Sequence, residues 1–458
     1  MKPISVEALC KIVSGEIIHG SSFWIQYGAY RLKQVKHKNT VLFIEKHIMN
    51  WTELSHYFPL VLVTEWHYSA QELPNEVTVI QVGSSEAALW EFVHYYRNQF
   101  QLPIVAITGT AGKTTTKEMI KHIMSHYKKV TATQLSTNSR TAYFQYLLSI
   151  EADTEAAVFE TAVGAPGDLR NAGKYFKPTI GIITNIGAHH LDYCKTLEGY
   201  IEAKGEMVEI LDDSGSLIIN SDDENTKKLD LSKFNGKLIK VGKGLMNDFA
   251  ASAITYSMNG MQFTVHHKGE QQQVQVMGFG EHQVYNALAA IAAVVAMGLT
   301  IEQAASQLRT FRPLNKQLQL FEGLNGALIL DDTWSITTTS LGAALNVLNE
   351  LAGQKQRIAI IGTINDVGSW GKFIHEQAAE IIMEEGVDVL ITVGEHAKIM
   401  ANHARELGIR AQVYSFNNGI LTYKLIKKMV NHNTIILIKG DMYSKTMFEL
   451  ASKLKEKT

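Results

Sequence analysis

The chain has 458 residues, 46% hydrophobic and 19% charged, and its 43 Lys plus Arg against 45 Asp plus Glu leave a net charge of −2. This is globular composition, and at roughly 150 residues per domain it has material for about three cores. The balance of charge argues against a protein devoted to nucleic-acid backbone or to an acidic membrane surface, while leaving room for a local basic pocket.

Two cysteines, Cys10 and Cys194, make neither a disulfide framework nor a zinc ribbon, so a reducing cytoplasm is the expected setting. The segment MKPISVEALCKIVSGEII is amphipathic and broken by charge, unlike a signal peptide. No stretch approaches about 18 uninterrupted apolar residues, so no membrane span is expected.

Residues 1–100 read as a small N-terminal α/β domain. A helix over SVEALCKIV leads to strands at TVLFIEKH, PLVLVTEW and EVTVIQV, then to a helix through EAALWEFVHYYRNQF. No motif in this stretch ties to chemistry by spacing. Residues 101–313 read as a central P-loop ATPase-like domain built on a parallel sheet. Its strands PIVAITGT, KKVTAT, AAVFETA and TIGIITNI are nearly all apolar, as parallel strands covered on both faces are, and the helix KEMIKHIMSHY lies among them. SLIINSDD, KLIKVGK and the alternating MQFTVHHKGEQQQVQVMG add strand signals, NALAAIAAVVAMGLT reads as a buried helix, and FRPLNKQLQ as a connection. Residues 314–458 read as a C-terminal Rossmann-like domain, in which GALILDDT, RIAIIGTI, DVLITVGE and TIILIKGD alternate with helices at LGAALNVLNELA and HEQAAEIIMEEG. One continuous α/β domain is the alternative on length alone.

The strongest chemical signal is PIVAITGTAGKTTTKE, Pro103 to Glu118. An apolar strand enters a glycine-containing turn and then a helix start, where backbone N–H groups and the helix dipole favour phosphate. Lys113 can reach terminal phosphates and the Thr114 hydroxyl can ligate Mg²⁺. The loop is a tight G-x-x-G-K-T, because the first glycine of the longer Walker spacing would fall at Ile107. Glu160 closes the apolar run AAVFE, where a strand-end carboxylate is placed to hold Mg²⁺ or is simply solvated. His189 and His190 follow TIGIITNI, and as neighbours they point in different directions, so one of them at most is expected to serve a site. Lys204 lies in LEGYIEAKGEMVEIL, where spacing alone reads it as a solvated charge on an amphipathic helix.

TGTAGKTTTKE, FETAVGAPGDL, ITNIGAHHLDY with LEGYIEAKGE, IINSDDE, GEHQVYNALAAIAAV, LILDDT and ILIKGD stand in the order found in Mur ligases. The chain resembles that family well from about residue 100 to its end and weakly before it; the branch suggested is the one that adds D-alanyl-D-alanine in peptidoglycan synthesis. The resemblance implies ATP, two Mg²⁺ ions and small-molecule acid and amine substrates. It implies an ATP loop of Gly109, Thr110, Ala111, Gly112, Lys113, Thr114 and Thr115, with Asn286 near adenine and Asp332 near the ribose. It assigns metal binding to Thr114, Glu160, His190 and Lys204, the last carbamylated. Catalytic roles fall on Lys113, Lys204 and His190, with His190 rather than His189 fitting N-I-G-x-x-H-L. Asn138 matches one asparagine of the family's substrate loop. The implied chemistry is attack of a carboxylate on the γ-phosphate of ATP, then of an amine on the acyl phosphate.

The departures cluster at the substrate positions. The family's (D/S)-x-R signature for the uridine nucleotide is missing from YRLKQVKHKNTVLFIE. TQLSTNSRTA keeps Thr133 and Asn138 but places Leu135, Ser136, Ser139 and Ala142 where the family has T-x-G-N-x-N-N-x-I-G. Gln317 replaces an arginine, Trp334 to Thr338 replace Y-N-A-N-P, and K-G-S-R becomes Lys439-Gly440-Asp441-Met442. The expectation is an ATP-dependent carboxylate–amine ligase with diverged substrate sites. The ordinary cell-wall ligase and a non-catalytic ATP-binding scaffold stand as alternatives. A P-loop kinase or GTPase is disfavoured by the tight loop and the lack of N-K-x-D.

Overall fold

Short aliphatic runs bounded by turns generate three large sheets. The computed structural model describes all residues except 46–48, 135–138, 188–190, 258–259, 366 and 456–458. The first sheet has five strands, in the order Glu16–His19, Val77–Gln81, Leu60–Thr64, Thr40–Phe43 and Tyr27–Ala29, with only the first pair antiparallel. Helix Ser85–Asn98 buries Leu89, Phe92 and Val93 beneath it. The strand expected over TVLFIEKH ends at Phe43.

The second sheet has nine strands. In spatial order they are Val130–Ala132, Ala156–Glu160, Ile104–Thr108, Ile180–Ile183, Ser216–Asn220, Lys237–Gly242, Phe249–Ser257, Gly260–His267 and Glu270–Met277. Pairing is parallel as far as Phe249–Ser257 and antiparallel beyond it. The alternating run MQFTVHHKGEQQQVQVMG is a hairpin that turns at Lys268 and Gly269, with φ of 48° and 85°. Positive φ at both central residues matches the twist of a two-residue hairpin turn. Helix Glu281–Ala296 is buried along most of its length, as its alanine-rich sequence predicts.

The third sheet has six strands in the order Gln319–Glu322, Leu328–Asp332, Thr434–Lys439, Gln356–Gly362, Val389–Val393 and Gln412–Phe416. All pairs are parallel except the first. The molecule is therefore α/β with three domains. The edge strands Gln319–Glu322 and Gln412–Phe416 are half-buried and less apolar, and periodicity does not reveal them.

Aromatic side chains weld the first domain to the central one. Phe43, Phe92, Tyr143, Phe144, Phe159 and Phe176 share one core, and Phe159 stacks on Phe176 at 4.4 Å. Fully burying one such side chain contributes roughly 1.5–3 kcal/mol. Gln34 Nε2 donates to Thr141 O and Gln145 Nε2 to Gly28 O, each at 2.8 Å, across the same junction. A second core runs from Ile183, Ile186 and Tyr200 of the central domain into Ile336, Leu341 and Leu345 of the C-terminal one. Among the described residues no helix is long and apolar enough to cross a membrane.

Candidate functional site

The central strand Ile104–Thr108 ends in the glycine loop, and helix Lys113–Met124 begins directly after it. Gly112 has φ 83° and caps the helix with backbone alone. A Cβ there would collide with the Asn286 side chain, and one at Gly109 would collide with Thr184. The glycines thus serve a left-handed turn and two close approaches. The segment after Ile180–Ile183 clamps the loop from behind. Thr110 N donates to Asn185 O at 2.9 Å and Ala111 N to Asn185 Oδ1 at 3.0 Å. Thr184 Oγ1 donates to Ala111 O at 2.6 Å, and Gly187 N to Thr110 Oγ1 at 2.8 Å.

Lys113 Nζ folds over the loop, donating to Gly109 O at 2.9 Å and Thr110 O at 3.2 Å. Burial pushes its pKa down and the Glu160 carboxylate partly opposes that. Glu160, 2% exposed at the end of its strand, accepts from Thr114 Oγ1 at 2.9 Å. A hydroxyl and a carboxylate side by side are hard oxygen donors that suit Mg²⁺. Among the described residues no group of three or more His, Cys, Asp and Glu gathers that could hold a metal ion. His190, its neighbour His189 and Asn138 lie outside the described residues.

Lys204 corrects the sequence expectation. It lies on helix Leu197–Gly205 but is 0% exposed, reaching toward the end of strand Ile104–Thr108 rather than into water. The apolar companions Tyr200, Ile201 and Ala203 bury this turn, and Nζ sits over the Tyr200 ring and 3.4 Å from Thr108 Oγ1. Among the described residues it has no carboxylate in ion-pair range. Burial first, and the nearby Lys113 charge second, hold its pKa well below the usual lysine value. The neutral amine that a carbamate needs is therefore favoured.

The loop opens into a cleft of about 420 Å³ between the central and C-terminal domains. It gathers Thr110 to Thr115, Glu160, Asn286 and Asp332. Asn286, on helix Glu281–Ala296, is 5% exposed and accepts from Thr116 Oγ1 at 3.4 Å. Asp332 ends strand Leu328–Asp332 and pairs with the buried Lys439 ammonium, which also donates to Ser335 O at 3.0 Å. Burial raises the Asp332 pKa, and Lys439 opposes the rise. His282 lies in the same cleft, and burial followed by the Lys439 charge pushes its pKa down to about 4. Gln317 bridges the domains, accepting from Thr115 Oγ1 at 3.2 Å.

Sequence reading did not single out Lys439, Asn185 or Thr184 as site residues. The strand-end positions of Thr184 and Lys439 were a usable signal; the side-chain bonds of Asn185 were not. A second hollow of about 660 Å³ joins Tyr30, Arg31, Lys33, Phe43, Glu45, Glu86 and Trp90 of the first domain to Tyr175 of the central one. Arg31 reaches it from the stretch that lacks the family signature, and its guanidinium lies 5.5 Å from the Tyr30 ring centre.

Residues 107–294 match the Mur ligase middle domain. The UDP-N-acetylmuramoyl-tripeptide–D-alanyl-D-alanine ligase of Bacillus subtilis is 26% identical over 375 residues, 82% of this chain and 81% of that protein. MurF from Acinetobacter baumannii superposes with a TM-score of 0.86 at 22% identity, covering 99% of this chain and all of that one. MurF ligase from Thermotoga maritima, solved in complex with ADP, gives 0.78 at 18% identity over 94% of this chain and 98% of that one. Residues 107–294 therefore carry a Mur ligase middle domain, and across most of its length the chain is similar to MurF ligases in sequence and shares their fold.

Proposed function

We propose that the protein is a MurF-like, ATP-dependent ligase that joins a carboxylate to an amine and releases ADP and phosphate. The observation that carries this reading is the convergence of Lys113, Thr114, Glu160 and Lys204 on one loop, beside a cleft that also holds Asn286 and Asp332. In the proposed reaction the acid oxygen bonds to the γ-phosphorus, the bond to ADP breaks, and an acyl phosphate forms. The amine then bonds to the acyl carbon, phosphate leaves, and the amine gives up a proton. Backbone N–H groups at the start of helix Lys113–Met124 and the Lys113 ammonium bind and orient the phosphates. Lys113 also offsets repulsion between the two anions that must meet. Thr114 and Glu160 would hold Mg²⁺, with His190 and a carbamylated Lys204 at a second ion, and the metal would supply charge neutralisation at the transferring phosphoryl group. The carbamate would arise when the neutral Lys204 amine bonds to CO₂ and releases a proton, turning a buried neutral group into an anion. Asn286 and Asp332 position the adenine and the ribose. A cytoplasmic location belongs to the same reading.

The acid and amine are the diverged part. The hollow around Arg31, Trp90 and Tyr175, which mixes Arg31 and Lys33 with Glu45 and Glu86, is the proposed seat of the acid, and the reading that this acid differs from the usual sugar nucleotide rests on the missing (D/S)-x-R signature. The test is phosphate release with ATP and Mg²⁺ against panels of acids and amines that include UDP-MurNAc-tripeptide with D-Ala-D-Ala. Turnover with that pair returns the protein to the ordinary cell-wall role. No turnover with any pair, despite ATP binding, leaves the ATP-binding scaffold.

A further inference from the structure

Lys117 stands one turn beyond Thr114 on the loop helix and is 0% exposed. A buried ammonium is costly, and an apolar side chain of similar volume would fill the space at less expense. Its Nζ donates to Thr133 O at 2.7 Å and lies 2.7 Å from Glu118 Oε1. Thr133 is fully buried just beyond strand Val130–Ala132. Its N–H donates to Val158 O at 3.2 Å, and its hydroxyl accepts from the Glu160 N–H at 2.7 Å. Three polar groups of Thr133 are therefore engaged, and one of them holds the backbone of Glu160.

Helix Lys113–Met124 thus grips Glu160 twice. Thr114 binds Oε2 directly, and Lys117, three residues on and hence on the same face, fixes the peptide whose hydroxyl holds the Glu160 backbone. We propose that Lys117 is a positioning residue for Mg²⁺: through Thr133 it sets the carboxylate of Glu160 against the Thr114 hydroxyl. The inference rests on the reading of Thr114 and Glu160 as the metal-holding pair. Partners that orient a ligand carboxylate typically matter to metal affinity by about tenfold to a hundredfold.

The experiment is calorimetric binding of ADP with and without Mg²⁺, which needs no turnover and no knowledge of the acid or amine. In the wild-type protein Mg²⁺ should tighten ADP binding. Lys117→Met should bind ADP alone within twofold of wild type and lose about tenfold or more of the Mg²⁺-dependent tightening. The double variant Lys117→Met with Glu118→Gln should behave the same way, because it removes the stranded Glu118 charge as an explanation. Recovery in the double variant overturns the proposal, as does wild-type tightening in Lys117→Met. If Lys117→Met fails to fold, Thr133→Val decides, since it keeps the shape and removes only the hydroxyl that holds Glu160. Full Mg²⁺ tightening in Thr133→Val overturns the proposal. Wild-type protein that binds ADP with no Mg²⁺ dependence removes the metal-site reading itself, and this inference with it.

Discussion

The two hollows of this molecule differ in how they are held. In the cleft beside the glycine loop, the loop itself is tied by backbone bonds and by glycines that admit no other residue. Asn185 clamps the loop, Gly112 makes room for Asn286, and Thr114 meets Glu160. In the hollow between the first and central domains the walls are side-chain surfaces: Tyr30, Phe43, Trp90 and Tyr175 with a few mixed charges. A framework tied through the backbone tolerates little change, whereas a wall of side chains can be rewritten one residue at a time. That contrast matches the sequence, in which the glycine-loop motifs of the Mur ligase resemblance persist while the stretches matching its substrate motifs depart.

The contrast is sharpened most by Lys113→Ala. It should lower ATP turnover by about 10²–10³-fold with the thermal midpoint nearly unchanged, because the side chain supplies charge to the transition state and little packing. Measured phosphate release near wild type would move catalysis away from the loop. Lys204 comes next. Lys204→Ala should be nearly inactive, and a short carboxylic acid added to the assay should restore part of the rate. Lys204→Arg should stay inactive, since guanidinium remains positive; full activity in Lys204→Arg would remove the carbamate. Because carbamylation consumes the neutral amine, the wild-type rate should rise with added bicarbonate when the preparation is depleted of CO₂.

On the other side of the comparison, Trp90→Ala or Arg31→Ala should raise the KM of the acid substrate by up to about tenfold and leave kcat within twofold. Such residues bind ground and transition states alike, and one aromatic contact is worth about 0.5–1.5 kcal/mol. A large fall in kcat instead would put this hollow at the reacting atoms. The smallest effect is on stability and concerns His282. Its folded pKa of about 4 lies below the ordinary 6.5, so the unfolded chain takes up the proton first as pH falls. Stability contributed by the neutral ring is present above pH 6.5 and drains away between there and about 4. Denaturant midpoints across that window should slope downward with falling pH, and His282→Gln should flatten part of the slope.

The major parallel strands were readable because they are continuous apolar runs between turns, Ile104–Thr108 and Thr434–Lys439 being examples. The half-buried edge strands and Phe249–Ser257 were not, since their outer positions carry polar residues that blur the period. The phosphate loop was legible from its strand–glycine–helix context. Lys204 was misread by spacing because it shares its helix with Glu198 and Glu202, whose charge suggests a wet face, and only tertiary packing decides which turn is covered. Lys117 was hidden for a related reason: a lysine followed by glutamate at a helix start looks solvated, and its partner Thr133 is contributed by another strand.

The Thr115–Gln317 hydrogen bond joins the first turn of the loop helix to the segment that leads into the C-terminal domain. Two bodies tied at a ligand site obey reciprocity: whatever factor domain docking adds to nucleotide affinity, nucleotide must add to domain docking. An arginine at position 317 would carry a charge of its own to the phosphates, whereas the neutral Gln317 amide leaves the loop hydroxyl as its partner. Nucleotide is therefore expected to report on the posture of the third domain through this uncharged strut and the apolar core beside it, and salt should scarcely weaken that conversation.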